Sequence, residues 1–200
     1  MSEVIAIFGG TFSPPHLGHI RAAEAFATHV APDKLLIIPT YVPPHKEYHH
    51  TVSCEDRLEM CRIAFSHIPN VEISDMEIAR GGKSYTADTL ELLASPNREL
   101  AFLCGTDMML TLDRWYDPDR IFRLCSLYCI RREGSPELER QIEEANQRYF
   151  ERFGKRVIMI DAPWLEVSSS EIRECLSQGK GHHLLPKAVE EFIIERGLYQ

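Results

Sequence analysis

Short apolar runs recur along the chain at residues 4–8, 34–39, 71–74, 100–104, 124–130 and 156–160. Runs of that length, bounded by polar or turn-forming residues, predict strands buried on both faces of a parallel sheet. Between them the apolar positions recur at helical spacing. Residues 18–30 place Ile20, Ala23, Phe26 and Ala27 on one face, and 55–67 place Leu58, Cys61, Ala64 and Phe65 inward. A third helix is predicted to begin near Ser84, to turn Leu90 and Leu93 toward the core, and to stop at Pro96. The stretch 136–152, rich in Glu, Arg and Gln, reads as a solvated surface helix. From 168 onward the pattern becomes two helices, about 169–178 and 186–196, separated by Gly179-Lys180-Gly181. Strands alternating with helices imply an α/β fold, a doubly wound parallel sheet carrying a helical C-terminal cap. With no internal repeat, low-complexity tract or interdomain linker, residues 1–200 read as one domain. The proline- and histidine-rich segment 40–53 is expected to be a mobile lid.

Composition narrows the function classes. The chain has 30 acidic against 22 basic residues, a net charge of −8, which disfavours nonspecific nucleic-acid binding. No stretch approaches the apolar length of a membrane span and no export signal stands at the N-terminus, so a cytoplasmic protein without membrane attachment is expected. Cysteines at 54, 61, 104, 125, 129 and 175 form no Cys-x-x-Cys pair and read as small core residues in a reducing compartment. The pairs His49-His50 and His182-His183 lack zinc-ligand spacing, and no structural metal site is expected.

The chemistry enters at the end of the first apolar run. Val4 to Phe8 lead into Gly9-Gly10-Thr11-Phe12-Ser13-Pro14-Pro15-His16-Leu17-Gly18-His19. Two glycines let the chain turn sharply and let backbone N–H groups approach an anion. Pro14 and Pro15 fix φ where the helix is expected to begin, and a helix N-terminus adds unpaired donors with partial positive charge. His16 and His19 are then expected on one helical face near that terminus. By itself a Gly-Gly turn merely connects a strand to a helix; strand, turn, helix start and two histidines together predict a phosphate site. A second such segment is Val167-Ser168-Ser169-Ser170-Glu171-Ile172-Arg173, where hydroxyls open a helix and an arginine follows on its next turn. Ser168 or Ser169 with Glu171 or Glu174 also fits a plain capping box, and capping and phosphate binding draw on the same terminal donors.

The first segment resembles the signature of the nucleotidylyltransferase superfamily, with its His-x-Gly-His element, and the second resembles that superfamily's Ser-Ser-x-x-Ile-Arg element. The usual form has Asp where this chain has Ser13. The resemblance implies a Rossmann-like fold and transfer of a nucleoside monophosphate from a triphosphate to a phosphate-bearing acceptor. It implies that Gly9, Gly10, Thr11, Phe12, Ser168 and Ser169 bind ATP. His16 and His19 would contact the α- and β-phosphates, and Arg173 the outer phosphates, a task that suits a planar guanidinium fork.

Intervening segments resemble the nicotinate-mononucleotide adenylyltransferase family: Pro43-Pro44-His45-Lys46, Lys83 to Leu90 with Ser84-Tyr85-Thr86, Gly105-Thr106-Asp107, and Trp115-Tyr116, ending with Leu184-Leu185-Pro186 and Gly197-Leu198-Tyr199. The acceptor implied is nicotinate mononucleotide, held by Lys46 at its phosphate, Trp115 under its pyridine ring, and Tyr116 and backbone N–H groups near Thr86 at its carboxylate. Gly105 and Asp107 are implied in adenosine binding. Each has a structural alternative: Trp115 as a core residue, Thr86 or Asp88 as a helix cap, Asp107 as an N-cap. Magnesium is expected to arrive with ATP, with no protein cage of its own. Rival readings keep the chemistry with nicotinamide mononucleotide or phosphopantetheine as acceptor, or keep the fold as a nucleotide sensor without turnover. The sequence leaves monomer and homo-oligomer both open.

Overall fold

The computed structural model describes residues 2–44, 52–131, 135–162, 165, 167–181 and 183–200. Its six strands are β1 (Glu3–Gly10), β2 (Lys34–Pro39), β3 (Val71–Ile73), β4 (Arg98–Cys104), β5 (Cys125–Arg131) and β6 (Ile158–Asp161). All pair in parallel in the order β3-β2-β1-β4-β5-β6. Strand β1 is therefore central. The chain winds outward from it through β2 and β3, then crosses back to lay β4, β5 and β6 on the other side. The helices are α1 (Leu17–Val30), α2 (Cys54–Phe65), α3 (Met76–Arg80), α4 (Thr86–Leu93), α5 (Thr106–Met109), α6 (Pro118–Leu124), α7 (Pro136–Phe153), α8 (Ser169–Ser177) and α9 (Lys187–Arg196), with a 3₁₀ turn at Leu112–Arg114.

The apolar runs are continuous because each central strand is buried on both faces. Ala6 and Phe8 of β1, with Leu35 and Ile37 of β2, join one core with Phe26 of α1 and Phe65 of α2. Ile5 and Ile7, with Leu36 and Ile38, face the opposite core with Leu90 of α4, Phe122 of α6 and Tyr149 of α7. Successive side chains thus take opposite sides of the pleat. Helix α7 carries Glu, Arg and Gln to solvent as expected, yet buries Ile142, Ala145, Asn146 and Tyr149. The two C-terminal helices and the residues after them do more than cover an end of the sheet: Ile172, Val189, Ile193 and Tyr199 share the core of Phe8 and Phe12.

Helices α3, α5 and α6 were not anticipated from the sequence. Spans of 5, 4 and 7 residues are too short for helical periodicity to register. The start of α6 does carry a local signal: Asp117 caps it by accepting the Arg120 N–H, with Pro118 at its first position. Much of the segment 40–53 expected to form a lid, residues 45–51 including Lys46, lies outside the described residues. Among the described residues no helix is long and apolar enough to cross a membrane.

Candidate active site

Strand order reverses between β1 and β4, and ligands of open α/β sheets bind outside the carboxyl ends of strands at such a point. Here β1 ends at Gly10 and β4 at Cys104, and a cavity of about 550 Å³ opens between their ends. That is the size of a small-molecule pocket. Two glycines permit close packing beside it. A Cβ on Gly10 would stand 3.0 Å from the Phe12 ring, and one on Gly18 would stand 2.9 Å from Val167 Cγ1 and 3.1 Å from His16 Nδ1. Gly105 differs, because a Cβ there would meet nothing within 4 Å; its bare backbone widens the cavity wall and relieves no clash. Phe12 has a left-handed backbone with φ of 47°, a conformation that costs about 1–2 kcal/mol for a residue with a Cβ. Its ring offsets that cost in the core, edge-on to Phe8, Phe65 and His19 at centroid distances of 5.4, 5.6 and 5.0 Å. Phe12 thus shapes the turn and lines the cavity beside it.

The histidines are arranged differently from the expectation. The helix starts at Leu17, two residues beyond Pro15, so His16 is the N-cap in extended conformation and does not lie on the helical face with His19. The reason is reciprocal capping. The His19 backbone N–H donates to His16 Nδ1 at 3.4 Å, and the His16 backbone N–H donates to His19 Nδ1 at 3.3 Å. The rings stack at a centroid distance of 3.7 Å and an interplanar angle of 26°. Because both Nδ1 atoms accept, a neutral ring carries its proton on Nε2. Burial first, and the adjacent His16 second, hold His19 well below the ordinary histidine value of 6.5. His19 is thus a neutral N–H donor at a helix start.

This gives a stability prediction. A folded-state value below the unfolded value means that the unfolded chain binds the extra proton, so the contribution of neutral His19 is fully present above about pH 6.5 and is lost as pH falls below it. Unfolding free energies of the ligand-free protein, measured in urea between about pH 7.5 and 5, should decline more steeply for the wild type than for His19→Gln. Parallel declines would show that His19 titrates normally in the folded state.

Helix α8 abuts this turn directly. Ser168 is its N-cap in a capping box: the Glu171 N–H donates to Ser168 Oγ at 3.2 Å, and Glu171 Oε2 accepts the Ser168 N–H at 2.9 Å. The capping reading of these serines is therefore realised. Ser169 Oγ donates to the Pro14 carbonyl at 3.1 Å, tying the helix to the turn. Arg173 makes the second tie, Nη1 donating to the Ser13 carbonyl at 2.7 Å and Nη2 to Ser170 Oγ at 3.0 Å. Sequence reasoning missed Arg57, which is fully buried and donates from Nη1 to the Thr11 carbonyl at 3.0 Å. Its signal was available, since Arg57 stands four residues before Cys61 on the inward face of α2.

The opposite end of the cavity is aromatic. Trp115 is half-buried and edge-on to Phe102 at 6.4 Å, so it is a wall residue more than a core residue. Tyr116 is 53% exposed and lies over Tyr85, a residue that the sequence left unassigned, at 4.4 Å. Helix α4 begins at Thr86 without a side-chain cap, so neither Thr86 nor Asp88 takes that role. Asp88 is instead paired with Arg120 at 2.8 Å, an arginine that also pairs with Asp117 at 3.1 Å. Asp107 does not cap α5 either, for Gly105 occupies that position. Glu77 and Thr89 form a buried contact at 2.6 Å in the same wall, also missed. Ser84 Oγ accepts the Tyr41 N–H at 2.9 Å and so anchors the chain entering the segment after β2.

Gly9, Gly10, Thr11, Phe12, His16, His19, Thr86, Gly105, Asp107, Trp115, Tyr116, Ser168, Ser169 and Arg173 thus come together around one cavity, from segments scattered over the chain. Lys46 is the one expected contact outside the described residues.

Comparison with known proteins places the chain in a family. The sequence model of the cytidylyltransferase-like family matches residues 7–175. The chain is 37% identical over 215 residues to a probable nicotinate-nucleotide adenylyltransferase of Desulfatibacillum aliphaticivorans, covering 98% of this chain and 99% of that one. It is 38% identical over 197 residues to a protein of the same description from Dehalococcoides mccartyi, covering 96% and 95%. The fold matches Plasmodium falciparum nicotinic acid mononucleotide adenylyltransferase complexed with NaAD, with a TM-score of 0.77 at 18% identity over 98% and 97% of the two chains.

Proposed function

The chain belongs to the cytidylyltransferase-like family of nucleotidyltransferases, and from that premise we infer that it is a nicotinate-nucleotide adenylyltransferase of NAD biosynthesis. It transfers AMP from ATP to nicotinate mononucleotide, giving nicotinate adenine dinucleotide and pyrophosphate. The observation that carries the reading is one cavity with two unlike ends: stacked imidazoles and an arginine at one, and an aromatic wall with a helix N-terminus at the other.

The acceptor's phosphate oxygen attacks the α-phosphorus, a new P–O bond forms, and the bond to the β-phosphate oxygen breaks with its electron pair leaving on pyrophosphate. A phosphate monoester is largely dianionic at neutral pH, so no general base is needed. Catalysis then consists of aligning two anions and stabilising charge on the transferring group. His16 and neutral His19 donate Nε2–H groups to the phosphates, and Arg173 meets the outer ones. Gly105 and Asp107 receive the adenosine. Trp115 stacks on the pyridinium ring, while α4 presents first-turn N–H groups at Thr86 to the carboxylate, a charge that a helix N-terminus favours over a neutral amide. Arg120 supports this by neutralising Asp88 in the same turn. Lys46 is assigned to the acceptor phosphate. Among the described residues no cluster of His, Cys, Asp or Glu could hold a metal ion, and Mg²⁺ enters as part of the substrate MgATP.

The deciding assay measures pyrophosphate release from MgATP with nicotinate mononucleotide, nicotinamide mononucleotide and phosphopantetheine in parallel. Release should be fastest with the nicotinate compound. Release only with phosphopantetheine would overturn the acceptor, and release with none would favour a sensor. Trp115→Ala should raise the acceptor KM about tenfold or more, since stacking and a cation–π contribution of roughly 0.5–2 kcal/mol disappear, while the KM for ATP changes little. Equal increases in both would make Trp115 a structural residue.

A further inference from the structure

The last residues of the chain reach the phosphate turn. Helix α9 ends at Gly197, with φ of 62°, in paired bonds from Gly197 N–H to the Ile194 carbonyl at 3.2 Å and from Leu198 N–H to the Ile193 carbonyl at 3.0 Å. That ending reverses the chain at a left-handed glycine. It sends Tyr199 back into the core beside Phe8 and Phe12. There the Tyr199 hydroxyl shares a buried hydrogen bond of 2.9 Å with Ser13 Oγ, across a separation of 186 residues. Ser13 is 2% exposed, and its carbonyl accepts the Arg173 guanidinium at 2.7 Å. One residue of the turn is therefore held at its side chain by Tyr199 and at its backbone by Arg173.

Two further bonds bind the C-terminal segment to the same stretch, Ser169 Oγ to the Pro14 carbonyl and the Leu17 N–H to the Leu184 carbonyl at 2.9 Å. These bonds fix the backbone at Pro14 and Leu17. The orientation of Ser13, on which the Arg173 contact depends, has its side-chain anchor in Tyr199. We propose that Tyr199 is a positioning residue for nucleotidyl transfer: acting through Ser13, it sets the phosphate turn and Arg173 for the triphosphate while touching no substrate. The proposal rests on the ATP-binding assignment made above.

Tyr199→Phe removes the hydroxyl and keeps the ring in the core, and Ser13→Ala removes the partner. Each should weaken binding of a non-hydrolysable ATP analogue about tenfold by calorimetry and lower kcat/KM for ATP about as much. The acceptor KM should hold. The double variant should lose no more than either single one, because both remove the same hydrogen bond. Analogue binding needs no acceptor, so an error in the acceptor assignment would show as absent wild-type turnover with this binding loss intact. Tyr199→Phe and Ser13→Ala proteins that melt earlier but keep wild-type affinity and kcat/KM would reduce the contact to a structural one. Losses that multiply to about a hundredfold in the double variant would show that Tyr199 does not act through Ser13.

Discussion

Replacing His19 by alanine should lower turnover at least about a hundredfold, a loss of roughly 2.7 kcal/mol of transition-state stabilisation. The magnitude follows from the state of the ring. His19 is held neutral by burial, and its Nδ1 accepts the His16 backbone N–H, which leaves the proton on Nε2. A neutral donor at a helix start costs no reorganisation as charge gathers on the transferring phosphoryl group. Alanine deletes that donor and also dissolves the reciprocal cap and the 3.7 Å ring stack with His16. The two effects separate in the kinetics: a contact made only in the transition state lowers kcat and kcat/KM together, whereas a disordered turn raises the KM for ATP. Turnover within a few-fold of wild type would remove His19 from the catalytic machinery.

Arg173→Ala should reduce kcat/KM for ATP by about a hundred- to a thousandfold, equivalent to roughly 2.7–4 kcal/mol. The guanidinium uses Nη1 on the Ser13 carbonyl and Nη2 on Ser170 Oγ, so its plane spans the gap between the phosphate turn and α8. Arg173→Lys should recover little of the loss. A single ammonium on a flexible stem keeps the charge but cannot hold the carbonyl, the hydroxyl and a phosphate in one plane. Full recovery with lysine would mean that charge alone matters and that the turn needs no bridge. In both variants the acceptor KM should stay near its wild-type value.

The two sites of largest expected effect were both readable as residues, and neither was readable as geometry. His16 and His19 stood out beside Gly9 and Gly10, yet the two prolines suggested a helix beginning earlier than it does. The cap that makes His16 a partner of His19 depends on hydrogen bonds that no spacing rule specifies. Ser169 and Arg173 were recognisable as parts of a serine-rich helix start with a cation, while their ties to Pro14 and Ser13 join residues more than 150 apart. The half-buried position of Trp115 and the pairing of Tyr116 with Tyr85 likewise came only from packing.

By itself the sequence determined the strands, the long helices, the α/β class and the residue types of a phosphate site. Those properties are local, or repeat with the period of a strand or helix: a central strand buried on both faces must be apolar along its length, and a turn beneath an anion must have glycine. Tertiary structure alone decided the strand order that puts the ends of β1 and β4 side by side, the protonation of His19, the contact of Arg57 with the Thr11 carbonyl, and the return of Tyr199 to Ser13. These arise where segments distant in sequence meet and exclude water, and desolvation and distance come into being only with that meeting.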